Sequence, residues 1–134
     1  MDNITLTRND NSASLALPQD MRWIDEFDWS ATAQTAPVYT LSGAVVIQQG
    51  QKQAGRPITL AGEWAWLDLG IIRTLRDWSD VPELVMTLTH YDGRRFDVIF
   101  RLHERGLDNV TPIRYAVPEK ADDRYTAEIC LMTV

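Results

Sequence analysis

The side chains best suited to chemistry in this chain are few and scattered. His90, His103 and Cys130 fall on separate expected strands without close ligand spacing, so the residues favour satisfied strand histidines and an inert buried thiol over a metal or thiol–imidazole site. There is no Gly-x-Ser-x-Gly elbow, and no serine stands beside a histidine as a nucleophile would require. The run Gly50-Gln51-Lys52-Gln53-Ala54-Gly55-Arg56-Pro57 has the glycine spacing of a phosphate-binding loop. It fails as one: Arg56 replaces the lysine, Pro57 replaces the magnesium-binding hydroxyl, and Ile58-Thr59-Leu60 reads as a strand where a helix N-terminus is needed. Asp20, Asp25, Glu26 and Asp28 are close enough in sequence for paired-carboxylate catalysis, with Asp25 and Asp28 as the acid–base pair. They are interleaved with Trp23, Ile24, Phe27 and Trp29, which favours an amphipathic segment with apolar residues inward and carboxylates in water. No catalytic residue, cofactor or metal site is expected.

Composition narrows the class. The chain has 134 residues, 45% hydrophobic and 24% charged, which suits one soluble globular domain. Its longest aliphatic run, residues 44–47, is far short of the ~18 residues of a spanning helix, so no membrane role is expected. Nineteen acidic against thirteen basic residues give a net charge of -6, which argues against gripping phosphate backbones over a broad surface, and no sequence-specific nucleic-acid binding is expected. The start lacks a basic segment followed by an apolar one, so synthesis in a cytoplasm is expected. A single cysteine precludes an internal disulfide.

The elements that must position any site read as follows. Residues 1–12, rich in Asn and Asp, are expected to form a flexible polar arm, with residues 13–134 as a single β-rich domain. Residues 39–47 alternate as a half-buried strand would, with Gly43 marking a bend. Residues 58–60 form a shorter strand beyond a polar loop, residues 48–57. One helix is expected at about residues 65–78, with Leu67, Ile71, Leu75 and Trp78 on one face. Around Asp92-Gly93 a three-residue loop pairs Leu88 with Phe96 and Met86 with Val98, which places the apolar residues of both strands on one face. Strands at 113–117 and 125–133 complete the set. The sum is a β-rich α+β fold: an antiparallel β-sandwich or barrel with one flanking helix.

Five tryptophans are many for this length. Trp64, Trp66 and Trp78 border the helix and are expected to fill the core. Trp23 and Trp29 lie outside any strong strand and are candidate anchors of a subunit contact. An alternative uses the same pair as a stacking platform in a monomeric, carbohydrate-type binding module.

The stretch Trp23-Ile24-Asp25-Glu26-Phe27-Asp28-Trp29, the tyrosine strand Tyr39-Thr40-Leu41-Ser42-Gly43-Ala44, then Ile47-Gln48-Gln49-Gly50 and Ala54-Gly55-Arg56-Pro57-Ile58-Thr59-Leu60 resembles small tail-tip proteins of long-tailed, non-contractile bacteriophages and prophages, of the distal-tail or minor-tail type. The resemblance implies a tail-tube-like β-sandwich or barrel, and a non-enzymatic ring subunit, hexameric in such a family, that joins the tail tube to the hub and fibres at the virion tail tip. DNA would pass through that ring. It also implies that the loop at residues 48–56 reaches a neighbouring subunit. The expected interface residues are therefore Trp23, Trp29, Gln48, Gln49, Gln51, Lys52, Gln53 and Arg56.

Overall fold

The computed structural model describes residues 3–115 and 117–134. In chain order its strands are β1 (Ile4–Arg8), β2 (Ser14–Leu17), β3 (Arg22–Trp23), β4 (Thr32–Gln34), β5 (Val38–Tyr39), β6 (Val45–Val46), β7 (Gln49–Gln51), β8 (Pro57–Ala61) and β9 (Leu67–Asp68); the helix α1 (Leu69–Ser79) follows, then β10 (Met86–Thr89), β11 (Arg95–Phe100), β12 (Leu107–Pro112) and β13 (Arg124–Thr133). The fold is antiparallel, β-rich α+β with one helix, as the sequence implies.

The longest strand, β13, is the spine. Its period of two buries Tyr125, Ala127, Ile129 and Leu131, and its length lets it take two neighbours on each side. β11 and β12 pair with its later and earlier halves on one side, and β8 and β9 do the same on the other. The main sheet runs β2-β1-β10-β11-β13-β8-β3. Laid flat, seven strands would separate its two ends by roughly 29 Å. Yet β2 and β3, the two ends, are joined by residues 18–21 alone, and that linker reaches at most roughly 18 Å between its flanking Cα atoms. The sheet must therefore curl. Trp23 of β3 accordingly meets Phe96 of β11 edge-on, ring centroids 5.4 Å apart, across the enclosed core.

Lateral partners share a sheet face, so the register predicts the core: Leu6 beside Leu88, Leu88 beside Phe96, Met86 beside Val98, Leu131 beside Ile58 and Ile129 beside Leu60. The hairpin has the three-residue loop expected of it, with Gly93 at φ +93°. Helix α1 buries Leu69, Ile72, Leu75 and Trp78 against this face.

Four expectations change. The arm expected at 1–12 is not free over its described residues, 3–12: Ile4 and Leu6 are wholly buried, and β1 sits inside the sheet between β2 and β10. The alternation Ile4-Thr5-Leu6-Thr7 is a strand signal that the surrounding Asn and Asp residues obscure; of these, Asn9, Asp10 and Asn11 lie in the β1–β2 turn, where Asn11 Oδ1 accepts the Ala13 N–H at 2.9 Å. The helix starts at Leu69, because Leu67 is drawn into pairing with Tyr125 on β13. The strand expected at 113–117 lies earlier, at Leu107–Pro112, an outer strand with a register shift between Asp108 and Thr111. Trp64 and Trp66 do not fill the core but are exposed, and only Trp78 of the three is buried.

The position of β1 sets a measurable cost. Leu6→Ala is expected to lower unfolding free energy by about 2–5 kcal/mol, the range for an emptied core leucine site. Denaturant titration checks this; a loss under about 0.5 kcal/mol, typical of a surface change, would return residues 1–12 to the status of an arm.

Candidate functional site

The most distinctive surface feature grows from the pairing of β3 with β8. Arg22 stands opposite Ala61 and Trp23 opposite Leu60, and the Ile24 N–H donates to the Thr59 carbonyl at 3.0 Å. Trp23 is buried at this root, and its indole N–H donates to the Pro57 carbonyl at 3.3 Å. The guanidinium groups of Arg56 and Arg94 lie 4.4 and 5.4 Å from its ring centroid, close enough for cation–π attraction. Arg56 also donates to the Glu26 carbonyl at 2.9 Å, while Arg94 pairs with the Glu26 carboxylate at 2.9 Å and with Asp92 at 2.8 Å. On the opposite sheet face, Asp25 accepts the Thr59 N–H at 2.9 Å and the Thr59 hydroxyl at 2.8 Å, with Arg101 3.7 Å away. Arg101 in turn donates to the Thr59 hydroxyl. Both oxygens of Asp25 are thus engaged in holding the root, which is a structural assignment for a residue the sequence offered as a catalytic acid or base.

Beyond this root the two legs continue as a projecting ribbon, and every residue from 30 to 54 is exposed. β4 pairs with β7 and β5 with β6; Thr35 and Gln48 bridge the two pairs, and the Gln49 side chain donates to that of Gln34 at 2.6 Å. The offset of β3 with β8 recurs in β4 with β7, but between Gln34↔Gln49 and Val38↔Val46 it shifts by one residue. Ala36 and Pro37 therefore oppose Ile47 alone, a bulge placed where proline has no N–H to give the ladder. At the tip the Thr40 N–H donates to the Ala44 carbonyl at 2.8 Å, and Gly43 supplies a φ of +88°. From root to tip the ribbon is roughly 30 Å long at the usual strand rise.

Its composition is unusual for an exposed segment. Val38, Tyr39, Leu41, Val45, Val46 and Ile47 are all exposed, and Lys52 is the sole charged residue between 30 and 54. A two-stranded ribbon offers unpaired backbone on both edges. Exposed apolar residues, nearly absent charge and open edges make the ribbon a candidate contact surface.

The sequence-expected interface residues divide along this feature. Gln48, Gln49 and Gln51 lie on the second leg. Lys52, Gln53 and Trp29 lie at its base, where the Lys52 ammonium sits 5.0 Å from the Trp29 ring centroid. Trp23 and Arg56 belong to the root, and the buried Trp23 is neither a surface anchor nor a stacking platform shared with Trp29. Residues 39–47 alternate like one half-buried strand, which hides the apolar tip; they are instead a turn and parts of two legs. The signal was present in Leu41-Ser42-Gly43 between two β-branched runs, and in a stretch without charge.

His90 packs at the root, its ring centroid 5.9 Å from that of Trp23. Burial pushes its pKa below the ordinary histidine value; Asp92 and Glu26 pull the other way, and Arg94 adds to the depression. The folded state thus favours neutral imidazole, so stability is full above the unfolded pKa of ~6.5 and is lost as pH falls below it. Unfolding free energy is expected to drop between pH 7 and 5 by at most about 1.4 kcal/mol per pH unit, the one-proton limit, and His90→Gln should flatten that slope in denaturant titrations. Comparison with protein-family models, curated proteins and solved structures finds no match to this chain.

Proposed function

We propose that this chain is a non-enzymatic structural subunit that assembles with copies of itself into a ring, each copy lending the ribbon of residues 30–54 to a neighbour. The observation that carries this reading is the ribbon itself: uncharged apart from Lys52, apolar at its tip, and exposed along its whole length. Its six exposed apolar side chains, Val38, Tyr39, Leu41, Val45, Val46 and Ile47, are surface of the kind that a stable interface, about 800 Å² per partner, removes from water. The ring belongs, on the resemblance of residues 23–62, to the tail tip of a long-tailed, non-contractile phage or prophage, where it joins the tail tube to the hub and fibres; a hexamer is the number that resemblance implies. A net charge of -6 suits a wall past which DNA slides without sticking. A monomeric sugar-binding module would need the Trp23 face open, and that face is packed under Arg56, Arg94 and Phe96.

In sedimentation or native mass spectrometry the chain is expected to form a multi-subunit species. Tyr39→Asp combined with Val46→Asp should leave monomers that melt within a few degrees of the parent, because both sites are exposed in the single subunit. A parent that stays monomeric at all concentrations, or a double variant that still assembles, would overturn the ring. Imaging of particles with this chain located away from the tail tip would overturn the placement.

A further inference from the structure

We infer that the ribbon tip of one copy seats in the groove of Trp66 and Ile113 of the next, near which Trp64 and Tyr115, each two residues along the chain, are also exposed, so that the contact between copies is head-to-tail. This inference rests on the self-assembly proposed above and adds the receiving surface.

The patch is anomalous in its own right. Trp64 is 81% exposed, Tyr115 64%, Ile113 43% and Trp66 42%, although tryptophan is on average a highly buried residue and is enriched where interfaces concentrate their binding energy. Trp66 and Ile113 line a common groove whose other walls are Arg114, Asp122, Asp123 and Arg124. An apolar centre with a charged rim is the usual anatomy of a protein interface, and the uncharged tip suits that centre. The patch is also held in place. The Trp66 indole N–H donates to the Glu63 carbonyl at 3.1 Å, the Ile113 N–H to the Arg124 carbonyl at 3.0 Å, and the Leu69 N–H to the Asp123 carbonyl at 2.8 Å. The Tyr125 hydroxyl donates to Glu119, and that hydrogen bond, with burial, pushes the phenol pKa up to about 12. A seat already ordered costs little entropy on docking.

Topology decides which copy fills it. The ribbon returns to the body at Gly55, whose N–H donates to the Thr133 carbonyl at 3.0 Å, beside the last residues of β13. The patch lies at the other end, where β9, directly after Trp66, pairs with Arg124 and Tyr125. Ribbon root and patch are thus separated by the length of β13, roughly 30 Å for ten residues. A ribbon exposed along its whole length does not rest on its own patch. Two unlike surfaces at opposite ends of one molecule generate a heterologous contact, the type that closes into a ring when the rotation between copies permits. Ribbon-to-ribbon pairing, the isologous alternative, would leave both tryptophans in water.

Mixing distinguishes these arrangements. A tip variant (Y39D/V46D) and a seat variant (W66D/I113D, with the milder W66S/I113S as a control for folding) should each be monomeric, with self-association weakened more than about thirtyfold, as for loss of a 2 kcal/mol hot spot. Combined in equal amounts, they should form heterodimers and stop there, since one intact ribbon and one intact seat remain between them. If both seat variants assemble like the parent while the tip variant does not, the seat is wrong and the self-assembly stands. Folded monomers that fail to pair on mixing likewise overturn the seat, and a monomeric parent overturns both.

Discussion

The burial of Trp23 is the constraint on which the rest of the molecule turns. The two ends of a seven-strand order are tied by residues 18–21, so the sheet has to curl, and curling delivers the β3 indole onto Phe96 and His90 of the β10–β11 hairpin. The same indole caps the point where both legs of the ribbon leave the body. Arg56 from one leg and Arg94 from the hairpin loop stack against it, and both reach Glu26, one at its carbonyl and one at its carboxylate. Sheet curling and ribbon launch are therefore one packing event. A long two-stranded ribbon is marginal alone in water, and this one draws its direction from a root clamped on both sheet faces, by Trp23 on the inner and by Asp25, Thr59 and Arg101 on the outer.

The body and the ribbon follow opposite composition rules. In the body, a buried apolar core is enclosed by a charged surface, with Phe27, Trp64, Trp66 and Tyr115 among the apolar side chains left exposed. In the ribbon, the apolar residues at the tip face water and charge is nearly absent. Isolated exposed hydrophobes are ordinary on protein surfaces; a contiguous group at the end of a 30 Å projection is not. Desolvating such a tip requires stripping no ions and leaves few polar side chains to satisfy, so its burial by a neighbour is favourable without an electrostatic penalty.

How much of this was legible depended on whether local pattern and tertiary role agreed. They agreed in the β10–β11 hairpin, where face alternation admits one register and Gly93 is needed at a left-handed position, and in the first half of β13, where buried Tyr125, Ala127 and Ile129 alternate with Thr126 and Glu128. They disagreed at β1, where a short apolar alternation sits among asparagines that belong to the following turn. At residues 39–47 the alternation was real but its meaning was inverted: in a ribbon both faces are open, so period two signals extension and not half-burial. Trp64 and Trp66 misled for a related reason, because residue type predicts burial somewhere, and a subunit surface covered by another chain satisfies that preference as well as a core does. Trp23 ran the other way. Its burial depends on sheet curvature, a global property that no local window contains.

Charge also explains why an arm would be used at all. The chain carries -6, and the ribbon contributes +1 through Lys52, so the body alone carries -7. Copies of such a body repel one another at close range, and packing two acidic faces flush would require burying or neutralising carboxylates. A nearly neutral projection roughly 30 Å long avoids this, because it lets apolar contact form while much of the facing charge stays farther apart than the ~8 Å over which physiological salt leaves it unscreened. In the proposed assembly, attraction is then short-ranged and confined to a tip and its seat, while the net charge of the bodies disfavours other contacts. That division of labour favours association in one orientation over indiscriminate clustering, which is what a ring of identical subunits requires.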